Sequence, residues 1–294
     1  MSEGLELEDA IRGLDPHGWN KCDMIQKCTF TRLAATNALI AEEILELSLG
    51  QLTPPEIILR ATEIELKTNK CWEEIPDFLR PDVTDPWNSQ SSSFRLLFLG
   101  MIRLGHLEHR FLLQRTLSKI AGPGLPDSHT NLLSVCDELF HFILQMVEHK
   151  DHFRDFQTDF VQILAVHGVP AAAILAVELL QQERNVSTAP SSITYPLHRS
   201  DLIQNLSVFV SCLGTVQTDC YGAQSCERGR KFLKTILDMI LGSGAAARNG
   251  AEQLEVDELS DPMFGAPLLQ TSDGDFTKWL ESMEWEQDVW VNFN

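Results

Sequence analysis

Glu138-Leu139-Phe140-His141 sets a carboxylate and an imidazole three residues apart, the spacing that puts both on one helix face in di-iron bundles. Such a centre takes a second Glu-x-x-His and two further inward carboxylates. The chain has no second copy, so the pair reads as chance on an amphipathic helix. His106 and His109 flank Glu108 and could chelate a metal, but read more simply as a partly buried, hydrogen-bonded pair. His149 and His152 border a polar helix junction and read as solvated. Asp151, Asp155 and Asp159 share a face of an expected helix, the arrangement by which helical terpene cyclases hold magnesium. They are interrupted by His152, Phe153 and Arg154, and a tight Asp-Asp cluster is missing. Cys22-x5-Cys28 and Cys220-x5-Cys226 lack the Cys-x2-Cys knuckle of structural zinc. Nucleophile elbows, phosphate loops, dinucleotide fingerprints and His-Glu-x-x-His are absent. No catalytic, cofactor-binding or metal-ligating residue is assigned, and a non-enzymatic protein is expected. A helical enzyme with a metal near Glu138 and His141, or on the aspartate face near Asp151, stands as the alternative.

The tail carries a different kind of chemistry. Phe276, Trp279, Leu280 and Met283 fall at i, i+3, i+4 and i+7, one stripe of a helix, with Trp285 and Trp290 close behind. Residues 252–294 hold eleven Asp or Glu against the single Lys278. Acidic self-repulsion is expected to keep this segment extended and its aromatics exposed. That is the composition of an activation segment that folds as a helix into a partner's apolar groove. The other reading is a lid that docks back on its own bundle.

The elements that would carry these residues are helical. Hydrophobic residues make up 44% and charged residues 22% of the 294, enough apolar content for a sizeable core. The apolar residues cluster in runs of helical length, and no stretch alternates for long. Expected helices span about 22–49 with Gly50 as the stop, then 54–75 from the start signal Thr53-Pro54-Pro55-Glu56. A helix over 94–120 is apolar on nearly every side and reads as the central one. Others follow at about 127–149, 152–167, 170–184, 199–214 and 223–241. The fold class is therefore all-α, a multi-helix bundle or orthogonal array with a partly disordered acidic C-terminal tail. Residues 1–20 read as a polar segment, 21–241 as the helical domain and 242–294 as linker and tail.

Charge and cysteine content exclude some functions. A net charge of −19 and the lack of a basic stripe argue against direct nucleic-acid binding by this chain. Seven irregularly spaced cysteines read as reduced thiols of the cytosol or nucleus. The acidic N-terminus has no apolar h-region, and no run is expected to approach the roughly 18 apolar residues that cross a bilayer.

Several stretches together resemble the C-terminal regulatory part of fungal-specific Zn2Cys6 transcription factors, particularly regulators linked to secondary metabolism. They are Trp72-Glu73-Glu74-Ile75-Pro76 followed by Phe78-Leu79-Arg80, and Leu107-Glu108-His109-Arg110-Phe111-Leu112-Leu113-Gln114-Arg115. Phe156-Gln157-Thr158-Asp159-Phe160, His167-Gly168-Val169-Pro170-Ala171-Ala172 and Asp201-Leu202-Ile203-Gln204-Asn205-Leu206-Ser207 follow, and Phe276-x2-Trp279-Leu280 and Trp290-Val291-Asn292-Phe293 close the set. The resemblance covers roughly residues 72–294. It implies a helical middle-homology domain, a nuclear location (with the cytoplasm as alternative), homodimerisation and control of target genes. The family's cysteine cluster and basic linker are absent, so no zinc ligands carry over. The expected partners are proteins, a coactivator or a paralogous regulator, with no nucleic acid, membrane or cofactor. A truncated, non-functional fragment of a larger regulator is a further alternative.

Overall fold

The computed structural model describes residues 13–81, 87, 91–121, 128–185, 197–217 and 219–246. Among them all regular structure is helical apart from one isolated antiparallel bridge, Leu14 to Asn20, so the chain is all-α. The acidic tail, including the stripe Phe276, Trp279, Leu280 and Met283 with Trp285 and Trp290, lies outside the described residues.

The first two helices form a hairpin. Helix α1 spans Lys27–Leu49, five residues later at its start than the periodicity suggested. Its first turn is set by Thr29, whose hydroxyl accepts from the Gln26 N–H at 3.2 Å. At Gly50 the chain leaves the helix in an extended conformation, its N–H still closing onto Glu46 O. Helix α2, Pro54–Glu73, starts as its sequence signal required. The Thr53 N–H and hydroxyl both donate to the Glu56 carboxylate, at 2.8 and 2.6 Å, and prolines fill the first turn, where no donor is needed. Ile40, Ile44 and Leu47 of α1 pack on Ile57, Ala61 and Ile64 of α2 and on Leu113 beyond, a small apolar seam. Full burial of one such aliphatic side chain is worth about 1.5–3 kcal/mol. Arg60 (3.4 Å) and Lys67 both pair with Glu43 across the hairpin.

Helix α3, Ser93–Ala121, joins this hairpin to the rest. It packs on α1 and α2 on one side and on α4, Ser128–Glu148, on the other. That explains why its sequence is apolar nearly all round. The main core runs from α3 and α4 through α5 (Gln157–Ile163), α6 (Val169–Asn185), α7 (Arg199–Leu213) and α8 (Ala223–Ala246).

Two expectations about helix boundaries are corrected here. The segment expected as one helix over 152–167 is instead a 3-10 turn, Lys150–Phe156, then α5, then a π-helical stretch, Leu164–Gly168, that runs on into α6. Pro170 lies within continuous helix and does not begin a new one. It has no N–H to give, and the ladder shifts just before it: the Val169 N–H bonds Leu164 O, five residues back. The second correction concerns 242–246, expected as linker; α8 continues through it to Ala246.

The stretch Lys150–Glu183 is also apolar enough to cross a membrane, with a window of mean hydropathy 2.1, contrary to the expectation that no run would be. Some 83% of that window is buried inside the protein. Ala171, Ala172, Ala173, Leu175 and Ala176 are fully enclosed, so its hydropathy is that of a core helix.

Candidate functional site

The N-terminal segment, expected as a polar lead-in, instead supplies a wall. The Asp15 carboxylate accepts from the N–H groups of His17 (2.9 Å) and Trp19 (2.8 Å), and Gly18 takes the left-handed conformation at φ +78°. This tight turn swings the Trp19 indole inward to 7% exposure, against a third apolar cluster of Leu79, Phe98, Leu99 and Ile102. Arg32 of α1 lies over its ring at 3.9 Å and donates to His17 O at 2.6 Å.

Beneath Arg32 is a half-open cleft of about 70 Å³ between the turn, α1, α2 and α3. Its lining includes Trp19, Arg32, Thr36, Cys71, Trp72, Glu74, His106 and His109. Close helix packing sets its floor. A side chain on Gly105 would come within 2.8 Å of the Asn37 amide, so α1 and α3 approach closely at this point. His109 is buried and hydrogen-bonds the Asn37 backbone. His106 stacks on Trp72 with ring centroids 4.8 Å apart, and Arg103 covers the same indole at 5.0 Å.

The electrostatics follow from burial. His106 is pushed down to about 3, first by desolvation and then by the charges of Arg103 and Arg110. His109 is lowered as well, by desolvation, against the opposing pull of Glu108. Both imidazoles are therefore neutral at pH 7 and offer ring N–H groups rather than charge. The Trp19 indole N–H is buried with no hydrogen-bond partner. Burial raises the Cys71 thiol, so it is no activated nucleophile.

The residues singled out for metal chemistry are dispersed. Glu138 is held by two guanidiniums from α3, Arg103 on one oxygen and Arg110 on the other at 2.5 Å. His141, one turn on, contacts Gln145 at 3.3 Å. Asp151 and Asp155 lie on the 3-10 turn and Asp159 on α5, so the fourfold helical spacing that would align them is broken. Asp151 pairs with Arg154 at 3.4 Å. His149 is not solvated; it is half-buried, stacks on Trp87 and Nδ1 meets Gln145 O at 2.9 Å. All seven cysteines are free thiols, with Cys136, Cys212 and Cys226 buried. No group of three His, Cys, Asp or Glu is placed to hold a metal among the described residues. A buried carboxylate that motif reading passed over, Glu178 of α6, is paired with His129 (2.9 Å) and Gln182 (2.8 Å), and the His129 contact chiefly holds it below the usual range.

Sequence reasoning thus identified His106 and His109 but not the cleft. Trp19 and Arg32 carry no motif; the local signal for the wall is Asp15-Pro16-His17-Gly18, a turn sequence with a tryptophan at its exit. The fold and cleft describe an α-helical protein with an aromatic-walled polar pocket. No family model, curated protein or solved structure matches the chain.

Proposed function

We propose that this chain is a transcription regulator that works through protein contacts, in the nucleus, without a zinc cluster of its own. One observation carries the protein-contact part of the reading. Helix α1 has two apolar faces: Ile40, Ile44 and Leu47 face the core, while Leu39, Leu45 and Leu49 are 56, 46 and 75% exposed. Helix α2 repeats the pattern, with Ile58, Leu59 and Leu66 outward. Single exposed apolar side chains are ordinary, but six on one hairpin support the reading of a contact surface. Between Leu39 and Leu66 six glutamates stand against the single Arg60, so the matching partner is a basic amphipathic helix.

The transcriptional part is supported by the stretches that resemble fungal Zn2Cys6 regulators and by the acidic-aromatic composition of 252–294. On this reading the hairpin meets a paralogous regulator that reads DNA, and the stripe Phe276, Trp279, Leu280 and Met283 meets a coactivator. Control of a secondary-metabolite gene cluster fits the same resemblance.

The test is the full chain fused to a heterologous DNA-binding domain beside a reporter gene. Activation is expected, falling severalfold with Trp279→Ala plus Trp285→Ala. A silent fusion, or output unchanged by the double substitution, refutes the activation role. Leu45→Ser with Leu49→Ser should leave the fold intact and abolish capture of a basic partner helix.

A further inference from the structure

We propose that the cleft between Trp19, Arg32, Trp72 and His106 binds a small planar monoanion of the aromatic carboxylate class. This goes beyond the regulator reading and does not depend on it, since the cleft is argued from geometry alone.

Size comes first. The cleft holds about 70 Å³. One water takes about 10–15 Å³ on this measure, so the space suits about five to seven waters, or one small ring bearing a carboxylate.

Shape follows from the walls. Trp19, Trp72 and His106 all contribute ring surface to the lining, and because His106 and Trp72 stack on one another, 23° from parallel, a ligand meets that pair from outside as one aromatic wall. A planar ring gains more contact from such walls than a branched aliphatic group does.

Charge is the deciding feature. In a protein of net charge −19 the charged groups about this cleft do not share the overall acidity: Arg32, Lys70, Arg103 and Arg110 stand against Glu74, Glu108 and Glu138. Arg32 stands at its edge with one N–H group committed to His17 O and, among the described residues, no carboxylate paired with it. Arg103 and Arg110 share one carboxylate, Glu138, and both act on His106, while Glu108 acts on His109, so the excess positive charge at the cleft is that of Arg32. The one acidic lining residue, Glu74, is offset by Lys70 at 3.8 Å.

The lining is also rich in donors. Arg32, the neutral imidazole of His106 and the hydroxyl of Thr36 line the cleft, His109 having its ring N–H committed to the Asn37 backbone, and the unpartnered Trp19 indole N–H belongs to the same wall. A buried donor without an acceptor costs about 1–3 kcal/mol, a cost that a ligand oxygen would remove after a small movement of the ring.

The experiment is calorimetric titration of the full chain, at low salt, with benzoate, with its neutral isostere benzamide and with acetate. Benzoate is expected to bind at one saturable site with a Kd below about 1 mM, and benzamide and acetate at least tenfold more weakly. Arg32→Gln should weaken benzoate about tenfold and erase its preference over benzamide. Arg32→Lys, which keeps the charge, should retain most of the affinity. Arg60→Gln on the outer hairpin should change nothing. The proposal is overturned if benzoate shows no saturable binding, if benzamide binds equally well, or if a folded Arg32→Gln protein binds benzoate as tightly as the native chain. Reporter output from the fusion is a separate readout, so failure of this site leaves the regulator reading standing and the reverse.

Discussion

Replacing Gly229 with alanine sets two effects of known sign against each other. In the middle of α8 a glycine costs about 1 kcal/mol relative to alanine, so propensity alone favours the substitution. The surroundings oppose it. A Cβ at Gly229 would sit 2.5 and 2.6 Å from the two methyls of Val169 and 3.2 Å from its Cβ. Unstrained carbons keep about 3.5–4 Å. Val169 is fully buried, is β-branched and so stiff at χ1, and its N–H is committed to the widened π turn at Leu164. It cannot turn aside, and α8 would have to retreat from α6 by about 1 Å. Such overpacking costs about 1–3 kcal/mol, which outweighs the propensity gain. The same change at Gly242, on the same helix, meets nothing within 4 Å and should stabilise by up to about 1 kcal/mol. For a chain of this size about 1 kcal/mol moves Tm by about 2–4 °C. Thermal unfolding followed by circular dichroism should therefore show Gly229→Ala melting lower than the native protein and Gly242→Ala melting slightly higher. If Gly229→Ala also melts higher, the close α6–α8 contact is wrong and helix propensity alone governs the position.

Three further outcomes follow from the described contacts. His106 has its folded pKa depressed from 6.5 to about 3, so the unfolded chain takes up this proton first as pH falls. Its contribution is present above the unfolded value and is lost on acidification, about 3 kcal/mol between about pH 6.5 and pH 4. His106→Gln should flatten the stability-against-pH curve there by a comparable amount, and an unchanged slope in urea titrations would contradict the buried, cation-flanked placement. Glu138→Ala leaves two half-buried guanidiniums facing one another and should cost about 1–3 kcal/mol, whereas Glu227→Ala, at an exposed pair with Arg230, should stay within about 0.5 kcal/mol. Equal effects at the two sites would remove the case for a clamp between α3 and α4. Gly18→Ala strains a residue at φ +78° and crowds Arg32 at 3.2 Å, so it should loosen the Trp19 turn and raise tryptophan quenching by acrylamide.

Local signals in the chain carried most of the secondary structure. The start of α2 was legible because Thr53-Pro54-Pro55-Glu56 satisfies the helix's own free N–H groups, whatever packs nearby. The all-round apolarity of α3 was legible as burial on several sides. The failures are equally physical. Hydrophobic periodicity cannot separate a 3-10, an α and a π turn, because their angular steps differ by only about 20° per residue over a few residues. Gly242-Ser243-Gly244 reads as linker by composition, but α8 already has momentum from the core contacts of Leu233, Ile236, Leu237 and Ile240. Residues whose chemistry looked notable in sequence were taken up in structure: Glu138 by two arginines, and His149 by Trp87.

The amino-acid sequence by itself determined the all-α class, the stop of α1 and the start of α2, the acidity that disfavours direct DNA contact and the composition of the tail, because each depends on neighbours in the chain or on simple counts. Tertiary structure alone decided that His106 would stack on Trp72, that Arg32 would cover Trp19, and that α1 and α3 would approach at Asn37 and Gly105 closely enough to leave a cleft between them. Those residues lie up to some ninety positions apart, and no local interaction specifies their meeting. It follows from how three helices and one turn share the burial of their apolar surfaces.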